Sequence, residues 1–215
     1  MKLKTHVHFV AITLIFCNVL SADSMSNRAD SDFFIEISPY GFAKELVEPL
    51  PFTVGYYLSE SISVGAQIGS INTDYKSGEV EEENAYSNIG LVVRFFPDNS
   101  LNISGAVHQR AWGGTLKIAA DSGAYAEANL SATSTVATVG IGHQSVSELG
   151  FTWGFDWIAV SSAVGSSYKV SHINNQGLSS SQLQLLTDRA KEIADTVNEV
   201  SLTPAMLVLN LGWAF

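Results

Sequence analysis

The sequence predicts an all-β protein, an eight-stranded antiparallel barrel that crosses a membrane with its apolar side turned outward. Three observations predict it. First, segments of strict apolar/polar alternation recur along the 215 residues, which are 46% hydrophobic, and such alternation gives a strand one greasy face. Second, turn signals and longer polar stretches alternate between these segments. Third, the chain ends on a strand whose apolar face finishes with Trp213 and Phe215. After the amino-terminal segment, no stretch approaches the roughly 18 apolar residues of a membrane-crossing helix.

The first residues have the order of a secretory signal. Lys2 and Lys4 precede an apolar run from Val7 to Leu20, and the small residues Ser21 and Ala22 follow. The expected domains are a signal peptide, 1–21, and a barrel, 22–215. Cys17 could suggest a lipid anchor, but Phe16 occupies a position where such a site wants a small residue. Cys17 is the only cysteine and leaves with the signal, so the mature chain has no disulfide. Loss of Lys2 and Lys4 moves the formal charge from −10 to −12. That acidity excludes nucleic acid as a partner, since phosphate binding needs basic surface.

Residues 22–32 are polar and are expected to form a short mobile arm on the periplasmic side. The first strand places Phe33, Ile35 and Ile37 on one face, with Phe34, Glu36 and Ser38 on the other, and Pro39 is expected to interrupt it. A linker carries Glu45, Glu48, Pro49 and Pro51. The second strand turns Phe52, Val54, Tyr56 and Leu58 outward; the third, after a turn near Glu60, does so with Ile62, Val64, Ala66 and Ile68. An acidic loop with Glu79, Glu81, Glu82 and Glu83 is expected next. It reads as a solvated loop without a calcium-loop pattern.

The fourth strand alternates Ile89, Leu91, Val93 and Phe95 with Asn88, Gly90, Val92 and Arg94. Pro97-Asp98-Asn99-Ser100 is a turn. The fifth opposes Leu101, Ile103, Gly105 and Val107 to Asn102, Ser104, His108 and Arg110. The sixth, about 129–143, has a weak pattern that suggests a change of face near Thr135 and Val136. The seventh turns Phe151, Trp153, Phe155 and Trp157 outward, with Thr152, Gly154, Asp156 and Ile158 inward. The eighth turns Leu207, Leu209, Leu211, Trp213 and Phe215 outward, with Val208, Asn210, Gly212 and Ala214 inward.

Connections near Glu60, Asp98 and Ser147 are short; those after Ala43, Tyr75, Leu116 and Val164 are long. Short turns on one side and long loops on the other, with an even strand count, are the outer-membrane arrangement. A soluble lipocalin-like barrel is the alternative, but the seventh strand's four outward aromatics would be an aggregation hazard in water. Ser181 to Val200 breaks the pattern. Leu183, Leu186, Ala190, Ile193, Val197 and Val200 recur at three and four residues, an amphipathic helix in the last long outer loop, and Ser181 with Gln184 suits a capping box. The helix is expected to pack against the rim or lumen mouth, or to act as a lid, a partner-binding helix or an interfacial helix.

The final strand resembles the C-terminal signal strand of bacterial outer-membrane barrels, which makes Leu209, Leu211, Trp213 and Phe215 the expected assembly signal, read by the barrel assembly machinery. In plan the mature chain resembles the small OmpA/OmpX-type and OmpW-type barrels. That resemblance implies residence in the outer membrane among phospholipid and lipopolysaccharide.

The inward positions collect Glu36, Arg94, His108, Arg110 and Asp156. Charges inside a narrow barrel must be paired or hydrated, so these five are expected to form a structural plug, or alternatively a gate. His143-Gln144-Ser145 is similar to the His-x-Ser motif of lipid A deacylases. However, Val146 replaces the Asn that continues that motif, and His143 falls at the periplasmic turn. No cofactor or metal site is expected, and the scattered glycines form no phosphate-binding fingerprint. The leading expectation is a structural or surface-interaction barrel that is not an enzyme. A narrow channel for small or apolar solutes is the alternative, as the OmpW resemblance implies, and a lipid A-modifying hydrolase is the third.

Overall fold

The computed structural model describes residues 23–42, 51–77, 80–119, 125–174 and 205–215, with Ser180, Ser181, Gln184, Thr187, Asp188, Lys191 and Asp195. The expected signal peptide, 1–21, and the linker up to residue 50 lie outside the described residues. Eight strands follow a short helix, α1 (Ser24–Ala29). They are β1 (Phe33–Phe42), β2 (Phe52–Ser59), β3 (Ile62–Ser77), β4 (Val80–Phe95), β5 (Leu101–Ala119), β6 (Tyr125–Val146), β7 (Phe151–Asn174) and β8 (Ala205–Ala214). Each pairs antiparallel with its sequence neighbour, and β1 pairs with β8 to close the barrel. Closure is completed at the chain end. The Phe215 carbonyl accepts from the amides of Asp32 and Phe33, and the Phe215 amide donates to the Phe33 carbonyl.

Alternation along the strands decides which residues face out. Leu91 and Val139 are 63% and 65% exposed, and Ile89, Val107, Val160 and Trp213 are exposed beside them. No second layer of protein covers this band among the described residues; an outward face of this kind is stable only where hydrocarbon covers it. Aromatics crowd its lower edge near the short turns, where Phe33 meets Tyr56 edge-on at 5.1 Å and Phe151 meets Trp213 at 6.2 Å.

Only about 9–11 residues of tilted strand are needed to cross a bilayer. β5, β6 and β7 have 19, 22 and 24, so this part of the wall continues well beyond the apolar band. The described part of the expected acidic loop is therefore strand: β4 begins at Val80 and pairs Glu81–Glu83 with Lys76–Asp74, while Glu79 lies outside the described residues. The expected long loops after Tyr75 and Leu116 are also largely strand. An outward row that passes from Ile68 to Ser70 or from Ile89 to Ser87 marks where the wall leaves the apolar zone.

Other expectations are corrected by bulges. Pro39 does not end β1; the strand runs on to Phe42, with register shifts on either side of Tyr40 that absorb the missing N–H. Trp157 is an extra residue between Asp156↔Gly142 and Ile158↔Ile141. Ile158 consequently faces outward, not inward. On β6 the alternation never changes face, because Leu130, Ala132, Ser134, Val136, Gly140 and Gly142 are all buried. Only the outward composition changes, from Val139 to Thr135 and Thr133. The register break at that level belongs to β7, where Val164 is extra.

The described residues of the expected arm, 23–32, are not loose. Within them α1 packs against the short-turn end of the barrel and Arg28 is fully buried. Its Nε donates to the Glu60 carbonyl at 2.8 Å, Nη1 to Asn99 at 2.9 Å and Nη2 to Asp98 at 3.2 Å. The guanidinium also lies 4.0 Å over the Phe96 ring. One side chain thus ties the helix to two different turns. Burial draws its pKa down to about 10, against the pull of Tyr57, Asp98 and Glu60, so it remains charged at neutral pH. Ser24 exchanges hydrogen bonds with the backbone of Val146, and Asn27 donates to the same carbonyl.

Of the expected helix over 181–200, the described residues Ser181, Gln184, Thr187, Asp188, Lys191 and Asp195 are helical and exposed. The apolar positions that would define its buried face lie outside the described residues.

Replacing Arg28 with Ala should lower stability by on the order of 2–4 kcal/mol, from lost charge-assisted hydrogen bonds and ring contact. Urea unfolding in detergent micelles measures this, and Arg28→Lys should recover only part, since an ammonium lacks the planar fork. An unchanged midpoint in Arg28→Ala would show that α1 is not fastened to the barrel.

Candidate functional site

The interior is built in layers from the short-turn end. The floor is apolar: Phe34, Tyr57, Val146 and Ala214 form one buried cluster, with the two rings 5.0 Å apart. Above it lies a polar layer that reaches across the barrel. Arg94 on β4 places Nη1 2.8 Å from Glu36 Oε2 on β1 and Nη2 3.5 Å from Asp156 Oδ2 on β7. Asn210 of β8 donates from Nδ2 to the same Asp156 oxygen at 2.9 Å and accepts from Ser38 Oγ at 2.6 Å. Gln144 of β6 donates to Glu36 Oε1. Five strands are joined through side chains inside a ring that their backbones already close.

Room for this layer comes from a residue without a side chain. A Cβ at Gly212 would stand 2.7 Å from Glu36 Cγ and 2.7 Å from Thr152 Oγ1. Two carboxylates flank one guanidinium; Glu36 and Arg94 are buried and Asp156 is part-buried. Buried charge is tolerated when its lone pairs and protons find partners; here the Gln144 and Asn210 amides add one donor to each carboxylate beside the guanidinium.

The structure brings together three of the five expected lumen residues: Glu36, Arg94 and Asp156. His108 and Arg110 lie farther along β5, toward the long-strand end. Arg94 pairs across to Ser104, whereas His108 is opposite Gly90 and Arg110 is opposite Asn88. The His108 ring is buried over Gly90, where any Cβ would overlap it. Sequence reasoning missed the network roles of Ser38, Gln144 and Asn210. Each had a signal, since each falls on an inward position of its strand.

Leu209, Leu211, Trp213 and Phe215, expected to form an assembly signal, all occupy outward positions, with Trp213 and Phe215 exposed. His143 and Ser145 also lie on the outer side of β6, and Ser145 Oγ is 3.1 Å from His143 Nε2. The shared face expected of His-x-Ser is therefore present. However, Ser145 is fully buried and His143 packs against Trp153 at 5.3 Å, so the hydroxyl is not presented to a lipid substrate. Gln144, the residue between them, is the one that reaches the lumen.

Eight strands close, β1 starts and β8 ends at the short-turn side, and an apolar band with an aromatic lower edge faces out. This is the architecture of a small outer-membrane β-barrel. The chain is similar in fold to a major outer membrane protein from Thermus thermophilus, at 12% identity and a TM-score of 0.48, over 86% of this chain and 99% of that one. It is also similar to CarO2 of Acinetobacter baumannii, at 8% identity and a TM-score of 0.46, over 86% and 98%. For CarO of Acinetobacter baumannii the values are 9% and 0.41, over 86% and 96%. No protein-family model and no curated protein matches the chain. At such identities the likeness concerns fold alone.

Arg94→Met strands two carboxylates and should cost about 3–5 kcal/mol. The triple variant Glu36→Gln, Arg94→Met, Asp156→Asn should recover most of that loss, because no charge is left unmatched. Equilibrium urea unfolding of the three proteins decides it; equal stability of single and wild-type proteins would contradict the network's role.

Proposed function

We propose that the chain is an outer-membrane barrel with a closed lumen and a structural or surface-interaction role. The carrying observation is the Glu36–Arg94–Asp156 layer, which bridges the interior directly above an apolar floor. An eight-stranded barrel is just wide enough for side chains to fill it, and here they do so at two levels, with α1 fastened beneath. In this reading the short turns face the periplasm and the extended β3–β7 wall stands on the outer side. Its surroundings are phospholipid and lipopolysaccharide. The outward residues of β8 act as the signal for the barrel assembly machinery, and the exposed polar residues of 181–200 offer a surface to a protein partner.

Bilayer conductance of the purified, refolded barrel tests this reading. The expected result is a silent membrane with wild-type protein. Steady wild-type current that changes in Arg94→Ala or Arg110→Ala would replace it with the narrow-channel reading, the charged layer then acting as a gate.

A further inference from the structure

Above the apolar band the outward face carries small and hydrogen-bonding residues: Ser70 and Asn72 on β3, Ser87 and Ala85 on β4, Thr135, Thr133 and Ser131 on β6. Within this face Asn72, Glu83, Ala85, Gly113, Thr115 and Asn129 line a groove of about 470 Å³. Strand register sets them side by side. Asn72 is opposite Ala85, Ala85 opposite Gly113, Glu83 opposite Thr115, and Thr115 opposite Asn129. Their positions on β4 and β5 share the parity of Ile89, Leu91 and Val107, which face outward. The intervening Trp112, Leu130 and Ala132 are buried on the inner side.

Ala85 and Gly113 make a shallow floor because they have almost no side chain, and the longer residues stand around it. Thr115 Oγ1 donates to Asn129 Oδ1 at 3.1 Å, which holds two of the polar groups in place. The volume falls within the ~300–1,000 Å³ of small-molecule sites, and half of the lining residues, Asn72, Glu83, Thr115 and Asn129, carry polar side chains.

We propose that this groove binds neutral sugar residues of the outer leaflet's own glycolipid. The inference rests on the outer-membrane reading and deepens it by naming a ligand class. Position supports it: an outward groove just above the hydrocarbon band lies at the level of the glycolipid's sugars, beside the barrel and away from its lumen. Chemistry supports it as well. Amides and a hydroxyl can donate to and accept from sugar hydroxyls, while a carboxylate accepts from two adjacent ones. Among the described lining residues there is no cation to attract phosphate, and the one large apolar residue, Leu130, is buried, which leaves little apolar surface to hold an acyl chain. The flat floor suits the C–H face of a pyranose ring.

The test uses the full barrel already inserted in phospholipid nanodiscs, titrated calorimetrically with lipopolysaccharide core oligosaccharide freed of its acyl chains. Because insertion precedes the titration, a negative result bears on the groove and leaves the membrane reading to the conductance experiment. Gly113→Trp is the blocking variant. A Cβ there meets nothing nearer than the Leu130 carbonyl at 4.0 Å, so the ring can fill the groove without forcing the backbone. Binding by the wild type, weakened at least tenfold in Gly113→Trp with circular dichroism unchanged, is expected. Should that variant fail to fold, Asn72→Ala with Thr115→Val is read by the same tenfold criterion. No binding by the wild type, or equal binding by the folded variant, overturns the proposal.

Discussion

Hydrocarbon offers no partner to a backbone N–H or carbonyl, and each one left open there costs several kcal/mol. That constraint underlies everything else in this molecule. A sheet satisfies it only by having no edge, which is why β1 must find β8. The pairing tolerates two irregularities around Tyr40 in order to be made at all. Phe215, the last residue, is consumed in it: both its amide and its carbonyl are bonded to β1 or the residue just before it. The outward apolar residues follow from the same cause, since a wall that hides its backbone in itself must show lipid something lipid accepts.

Closing so few strands creates a second problem, a narrow interior that side chains have to fill. The chain solves it with layers of different chemistry. An apolar cluster seals the lower end, a layer of two carboxylates, one guanidinium and their amide partners holds five strands together above it, and Arg28 fastens a helix across two turns from below. Removing one member of a buried charge set is costly in a way that replacing the whole set is not. In the observed register Arg94 meets both Glu36 and Asp156.

Much of this was legible in the sequence because alternation is local. Inward and outward faces of β1, β2, β3, β4, β5 and β8 follow from counting by twos, and the inward placement of Glu36 and Arg94 came with them, as did that of Asp156 in the first, turn-side part of β7. What counting could not give was anything set by the partner strand. A bulge at Trp157 reverses Ile158 without any change in composition that announces it. Strand ends were also hidden, because Glu81–Glu83 lack the apolar residues that mark a strand in lipid, yet pair perfectly well above it. Polar residues 22–32 gave no apolar period; α1 is held by hydrogen bonds from Arg28, Ser24 and Asn27 to backbone carbonyls of distant turns and strand ends. The pairing of Gln144 and Asn210 with particular acids depended on the barrel's circumference. Closure makes residues 108 positions apart neighbours, as Gln144 and Glu36 are.

Depth-dependent quenching by phospholipids brominated along their acyl chains tests most directly whether lipid covers the outward face. Two single-tryptophan proteins are needed, one keeping Trp157 and the other keeping Trp112, with the remaining tryptophans changed to Phe. Trp157, outward in the apolar band, should be strongly quenched, while Trp112, buried inside the wall above it, should be indifferent to the bromine. Equal insensitivity of both, in a protein that stays dispersed in plain buffer, would mean that these strands pack their greasy side against protein.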